Sequence, residues 1–231
     1  MAAKRLVRPG DASPLEEVPI PVRVISGIEV PDTPVVNRAL EVASAHMAPY
    51  LYNHVVRSWL FSAAIAEARR DVYDAEVLAV SAILHDIGLT KEFSGPLRFE
   101  VEGANFAREL ALEFGMDGRR AQLIWDSIAL NSTPSICAHK EREAELCTLG
   151  VGLDWGGWGY DSFSPDIMAR VIRDFPRLRM KVAFSRDVCA ICERQPETTF
   201  DTFARDFGAR FVPGYKSASA VDALFGAPFD E

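Results

Sequence analysis

Two side chains able to bind a cation stand together at the end of an apolar run. In Ile83-Leu84-His85-Asp86-Ile87-Gly88 an imidazole and a carboxylate are adjacent, just before a glycine. Nitrogen and oxygen donors of this kind suit a divalent cation of the Zn, Fe or Mn type. The run from Val77 to Leu84 is apolar on nearly every face and reads as a buried helix. Two polar groups at the end of such a helix need partners, because burying one unpaired costs about 2–7 kcal/mol, and a bound metal is one such partner. His54 and Asp154 complete a mononuclear candidate set with His85 and Asp86. Converging helices can bring such separated side chains together. Two His and two carboxylates leave positions for water, as a catalytic site needs. The cation would lower the pKa of bound water towards ~7. Taken alone, His54 reads more simply as a satisfied core histidine.

The elements that must position these groups are helices. Leu51, Val55, Val56, Trp59, Leu60 and Ala63 form one amphipathic face of a helix over about 51–70, with His54 at the edge of the stripe. Asp74 is a plausible N-cap for a helix to Ile87, which carries His85 and Asp86, and Asp117 for one ending near Leu130. Between these, a helix from about Glu100 stops at Gly115. A helix from Glu141 to about Leu153 delivers Asp154 just before Trp155-Gly156-Gly157. Asp32-Thr33-Pro34 starts an earlier helix running to about Met47, and three later patterns cover 165–174, 177–193 and 199–207. No sustained period-2 pattern is found, so the expected fold class is all-α, with about nine helices. Residues 1–34, with six prolines, read as an extended arm that packs on the domain or on a neighbour, which leaves a homo-oligomer open; residues 35–231 read as the helical domain. The tail from Gly208, with Phe211, Val212, Pro213 and Phe225, is expected to pack as irregular chain.

Composition narrows the function. The chain has 231 residues, is 48% hydrophobic and carries a net charge of −8, which disfavours nucleic acid as a partner and allows a small neutral substrate. No apolar run of membrane length occurs, so no membrane partner is expected. Lys4, Arg5 and Arg8 are not followed by an apolar segment, so no secretory signal is expected either. With four cysteines in a chain of this length, a reduced cytoplasmic setting is expected rather than a disulfide scaffold. Cys189-Ala190-Ile191-Cys192 lies within a helical pattern and lacks a second pair of soft ligands, so it is not read as a zinc or redox site.

Several stretches together resemble a known family. They are Tyr52-Asn53-His54-Val55-Val56-Arg57, Leu84-His85-Asp86-Ile87-Gly88-Leu89-Thr90, Arg98-Phe99-Glu100-Val101-Glu102-Gly103-Ala104 and Leu149-Gly150-Val151-Gly152-Leu153-Asp154, with Pro196-Glu197-Thr198-Thr199 within Lys181 to Tyr215. The His…His-Asp…Asp order is similar to that of the HD-domain superfamily of metal-dependent hydrolases, and the wider text looks like its cyanamide hydratase-type branch. The resemblance spans about residues 30–220. It implies an all-helical HD fold, a bound Zn²⁺ (alternatively Fe²⁺ or Mn²⁺), and hydration of a small nitrile-like group by a hydro-lyase. The chain departs from the branch at Asn131, where relatives often have His. Asn131 would then orient substrate by hydrogen bonding, mark a weakened or specialised site, or be compensated by His139.

Lys91, Arg98, Glu100 and Glu102 lie near the His-Asp loop in sequence. Glu100 or Glu102 could hold a ligating histidine by its second ring nitrogen, although Glu is favoured at a helix start in any case. Trp125, Trp155 and Trp158 are candidate pocket walls, or simple core. Two rivals accompany the hydratase reading. An HD phosphohydrolase would need cationic clamps, for which Arg57, Lys91 and Arg98 are available. A non-catalytic HD module would only bind a ligand or partner.

Overall fold

The computed structural model describes residues 20–229. A short hairpin comes first: β1 (Val22–Ile25) pairs antiparallel with β2 (Ile28–Pro31), Val22 opposite Pro31 and Ile25 opposite Ile28. Ser26 and Gly27 join them, both at positive φ (51° and 78°), the pattern of a two-residue hairpin turn. Eleven helices follow among the described residues: α1 (Pro34–His46), α2 (Pro49–Arg69), α3 (Ala75–Leu84), α4 (Phe99–Glu113), α5 (Gly118–Ala129), α6 (Pro134–Cys137), α7 (Arg142–Gly156), α8 (Pro165–Asp174), α9 (Met180–Arg194), α10 (Ala204–Phe211) and α11 (Ala220–Phe225). The fold is an all-α bundle, as the sequence implies.

At the centre runs α3, buried without a break from Val77 to Leu84 and packed against α1, α2, α4, α5 and α7. A helix that is apolar all round has no face to give to water, so neighbours must enclose it. The Asp74 side chain caps it, accepting from the amides of Glu76 and Val77, and Asp117 caps α5 in the same way. Both caps satisfy donors that a helix start leaves unpaired. The α4 helix ends into Gly115 at φ +80°.

Nine helices match the nine expected; α6 and α11 are additions, short enough to leave little periodic signal. The hairpin is a further addition. Each strand has only four residues, yet Ile28 and Val30 alternate with exposed Glu29 and enter the core. The first nineteen residues of the expected arm lie outside the described residues. Several helix boundaries move. The α3 helix ends at Leu84 rather than Ile87, and α10 starts at Ala204 rather than at 199 and runs to Phe211, into the stretch expected to be irregular. The α7 helix runs on through Asp154 to Gly156 and stops where Gly157 takes φ +74°, so Asp154 sits within its last turn rather than after it. The α9 helix starts at Met180 because Leu178 and Arg179 both take positive φ. Phe225, expected to pack, is 85% exposed.

Glycines set how closely the central helices approach. A Cβ on Gly150 would lie 2.4 Å from the Ser58 carbonyl oxygen, so α7 can pack on α2 only without one. Gly88, two residues after Asp86, is similarly pressed against the Phe99 carbonyl at the start of α4 (2.0 Å from an added Cβ).

Candidate metal centre

Helix α2 carries His54 and Arg57, both buried, on the side facing α7. At the end of α3, His85 and Asp86 follow the last helical turn, before the 3₁₀ turn Ile87–Leu89. Three atoms converge there. Nε2 of His54 and Nε2 of His85 are 3.3 Å apart, and Asp86 Oδ2 lies 3.5 Å from the first and 3.3 Å from the second. The other ring nitrogens are committed: His54 Nδ1–H donates to Asp154 Oδ2 at 2.6 Å, and His85 Nδ1–H donates to the Ala82 carbonyl at 2.9 Å. Both Nε2 atoms therefore present lone pairs, and the third atom is a carboxylate oxygen. Asp86 Oδ2 is buried and has no hydrogen-bond partner. Three converging acceptors without a donor repel one another, and a divalent cation resolves the conflict. Fixing a ligating histidine through its far nitrogen is how proteins orient such ligands. The donor set thus fits the metal implied by the sequence.

Protons compete for the same place. Burial opposes charging His85, but the Asp86 carboxylate and the Ala82 carbonyl outweigh it and hold its pKa above the usual value. At His54 burial wins and the pKa falls, despite Asp154 and Asp86. Asp86 is drawn below the ordinary carboxylate range: burial raises it, and the two imidazoles more than offset that.

Asp154 stands behind this trio. Its oxygens accept from Arg57 Nε (2.7 Å) and Nη2 (2.8 Å) and from Arg177 Nη1 (2.9 Å), besides His54. Burial raises its pKa, yet the bonds from His54 and Arg57 hold it far below the ordinary range. Arg57 Nη1 donates to the carbonyls of Phe175 and Pro176, and Nη2 also to the Met180 sulfur. The structure therefore brings together His54, His85 and Asp86 as a trio that could hold a cation, with Asp154 on the far nitrogen of His54.

The remaining candidates are placed as follows. Asn131 lines the cavity over the trio, and its Nδ2 donates to the Ile128 carbonyl at 2.6 Å. Its neighbour Ser132 also lines the cavity and donates to Glu100 Oε1 at 3.0 Å. Glu100 is fully buried, accepts from Arg98 as well, and leaves Oε2 unpartnered. Neither Glu100 nor Glu102 holds a histidine, since Glu102 accepts from the Leu97 amide. Lys91 and His139 are exposed and outside the cavity lining, so His139 does not take over from Asn131. Trp155 and Trp158 wall the cavity, whereas Trp125 instead donates to Asn105. All four cysteines are free thiols. Sequence reasoning missed the Ala82 carbonyl, the Arg57–Asp154 ion pair and the walls Phe184 and Phe203. Arg57 did carry a signal: a charge one turn from His54 on a buried face demands a partner. The two phenylalanines, one in α9 and one just before α10, carried none.

Residues 51–153 match the family model of the HD domain. The match supports the HD-domain superfamily. The HD segment contains His54, His85 and Asp86 and ends one residue before Asp154. HD domains are generally metal-dependent hydrolases and bind divalent metals. No curated protein matches the chain. Among the described residues, no helix is long and apolar enough to cross a membrane.

Proposed function

We propose that this protein is a metal-dependent hydratase that adds water to a small nitrile such as cyanamide, with a divalent cation of the Zn²⁺, Fe²⁺ or Mn²⁺ type held by His54, His85 and Asp86. The observation that carries this reading is the cavity over the trio. It has no lysine or arginine in its lining and is walled mainly by aromatic and aliphatic side chains. A phosphoryl group needs cationic donors at close range. Here Arg57 is locked on Asp154, Arg98 on Glu100, and Lys91 is exposed away from the cavity. A neutral substrate suits such a lining.

When bound, the cation supplies a lowered pKa for water and Lewis acidity towards the substrate nitrogen. The chain's own residues do the rest. Asp154 and the Ala82 carbonyl fix the tautomers of His54 and His85, so that both Nε2 atoms face the reacting centre. Asn131, anchored through Nδ2, sets the polar edge of the cavity. Hydration joins the water oxygen to the nitrile carbon and leaves two protons on nitrogen. Ser132 donates its hydroxyl proton to buried Glu100, so its oxygen can accept a proton from the attacking water while Glu100 takes the serine proton, and the same hydroxyl returns one to that nitrogen. The aromatic wall keeps bulk water away from the centre.

The test is product formation by chromatography from cyanamide, with nucleoside monophosphates alongside. Wild-type, metal-loaded protein should give urea, and His54→Ala should not. Metal-dependent phosphate release without turnover of any nitrile would replace this reading with the phosphohydrolase.

A further inference from the structure

The cavity is much larger than a cyano group needs. It measures about 230 Å³. For scale, an apolar cavity of about 150 Å³ accommodates a benzene molecule. Its polar lining is His54, His85, Asp86, Asn131 and Ser132. The rest is Pro134, Val151, Trp155, Trp158, Phe184 and Phe203. Phe184 and Phe203 stack at 6.3 Å with an 18° interplanar angle, and Trp155 meets both edge-on at 6.5 and 5.9 Å. Trp158 is seated by a glycine: a Cβ on Gly152 would lie 2.0 Å from its ring. The wall is therefore built from interlocked rings rather than from loose side chains.

Resting on the hydratase reading, we infer that the preferred substrate is a neutral molecule in which the reacting group is joined to an apolar, ring-sized substituent, an aryl or arylmethyl nitrile turned over in preference to cyanamide. An apolar wall gains nothing from a three-atom polar molecule. It gains the full hydrophobic transfer of a ring, plus edge-to-face contacts with the aromatic cluster. The same wall rejects charge, since no side chain along it offers a counter-ion and desolvating an ion there is costly. With the reacting group at the trio, a substituent on its carbon meets the rings, because Phe184 stands edge-on to His54 at 6.2 Å.

The experiment compares benzonitrile and phenylacetonitrile with acetonitrile and cyanamide on the metal-loaded full chain. Binding is read as the melting-temperature rise at equal ligand concentration, which needs no turnover, and turnover as kcat/KM for the amide. The aromatic nitriles should exceed acetonitrile in kcat/KM by on the order of ten- to a hundredfold, the worth of burying one ring. They should also raise the melting temperature where acetonitrile and benzoate do not. Trp155→Ala, at a partly exposed wall position (39%), should shrink the aromatic-to-acetonitrile ratio, a comparison internal to one variant and so insensitive to its stability. Equal kcat/KM for cyanamide, acetonitrile and benzonitrile would overturn the substrate class and leave hydration standing. A selective melting shift with benzonitrile but no turnover of any nitrile would support the ligand class and remove hydration. Absence of both the shift and the preference would overturn the inference.

Discussion

The two aspartates on either side of His54 have opposite surroundings. Asp154, behind the ring, receives hydrogen bonds from His54, Arg57 and Arg177. Asp86, in front, is as deeply buried but leaves Oδ2 without a partner, facing two imidazole lone pairs. Burial makes both carboxylates costly. One cost is offset by fixed cations of the chain itself, the other by imidazoles that must first take up a proton, or by a cation that binds. The difference separates a group that holds the site in shape from one that gives it a ligand. It also predicts that removing charge on the two sides has different consequences: loss of cation in front, loss of stability behind.

The largest expected effect is in front. Purified protein should carry close to one divalent transition metal per chain, and His85→Ala/Asp86→Ala should lose it, as read by elemental analysis after gel filtration. Substantial metal retained by the double variant would break the assignment of the trio. Chelation should also lower the melting temperature of the wild type, because a ligand bound only by the native state stabilises it, and should leave that of the double variant unchanged.

Behind the ring, Arg57→Ala should be the most destabilising single substitution. It strands the Asp154 carboxylate in the interior and frees the Phe175 and Pro176 carbonyls. Breaking one partner of a buried ion pair costs about 3–5 kcal/mol, read from the urea midpoint at constant m-value. A loss below 1 kcal/mol would mean that water reaches Asp154 and that the two sides differ less than their contacts imply.

Much of this contrast was legible in the sequence. The nine main helices followed from apolar periodicity and from Asp74, Asp117 and Gly115 at their ends. His85 and Asp86 stood out because polar groups closing an all-apolar helix need an explanation. Position in the chain, however, does not reveal which atom of a side chain faces which neighbour. Asp154 entered the candidate set by its residue type, while its attachment to Nδ1 of His54 depends on α7 running one turn further and on Gly150 letting it close on α2. The hairpin and α6 were missed because four residues give too few repeats of any period. Phe184 and Phe203 reach the cavity from α9 and just before α10 through tertiary packing alone.

A smaller effect should follow from Asp154→Asn, which keeps the shape and removes the charge. The cation should still bind, with affinity lowered on the order of 10–100-fold, as for other supports of a ligating histidine. Loss of all metal, as complete as in the double variant, would instead make Asp154 a ligand. The substitution also has a pH signature. The folded-state pKa of Asp154 lies well below the ~3.9 of an unfolded chain. Folding therefore favours its deprotonated form. Its contribution to stability is fully present above the unfolded value and is lost as the pH falls through the folded one. Between about pH 4 and lower values the wild type should lose stability more steeply than Asp154→Asn, measured by urea unfolding across that range on metal-free protein.

The smallest effect is expected at Asn131, which touches the front of the site without belonging to the trio. One Nδ2–H is anchored on the Ile128 carbonyl, so the amide is held in one orientation, and its Oδ1 and second N–H are left to serve a substrate. Asn131→Ala removes one neutral hydrogen bond, worth about 0.5–1.5 kcal/mol, and should lower kcat/KM about two- to tenfold with metal content unchanged. Asn131→His separates the remaining readings. Raised activity on cyanamide would show that the site is weakened by the asparagine. Lowered activity would show that the amide is suited to the substrate this cavity takes. If neither substitution alters turnover, Asn131 is only a wall, and the polar lining of the cavity reduces to the trio and Ser132.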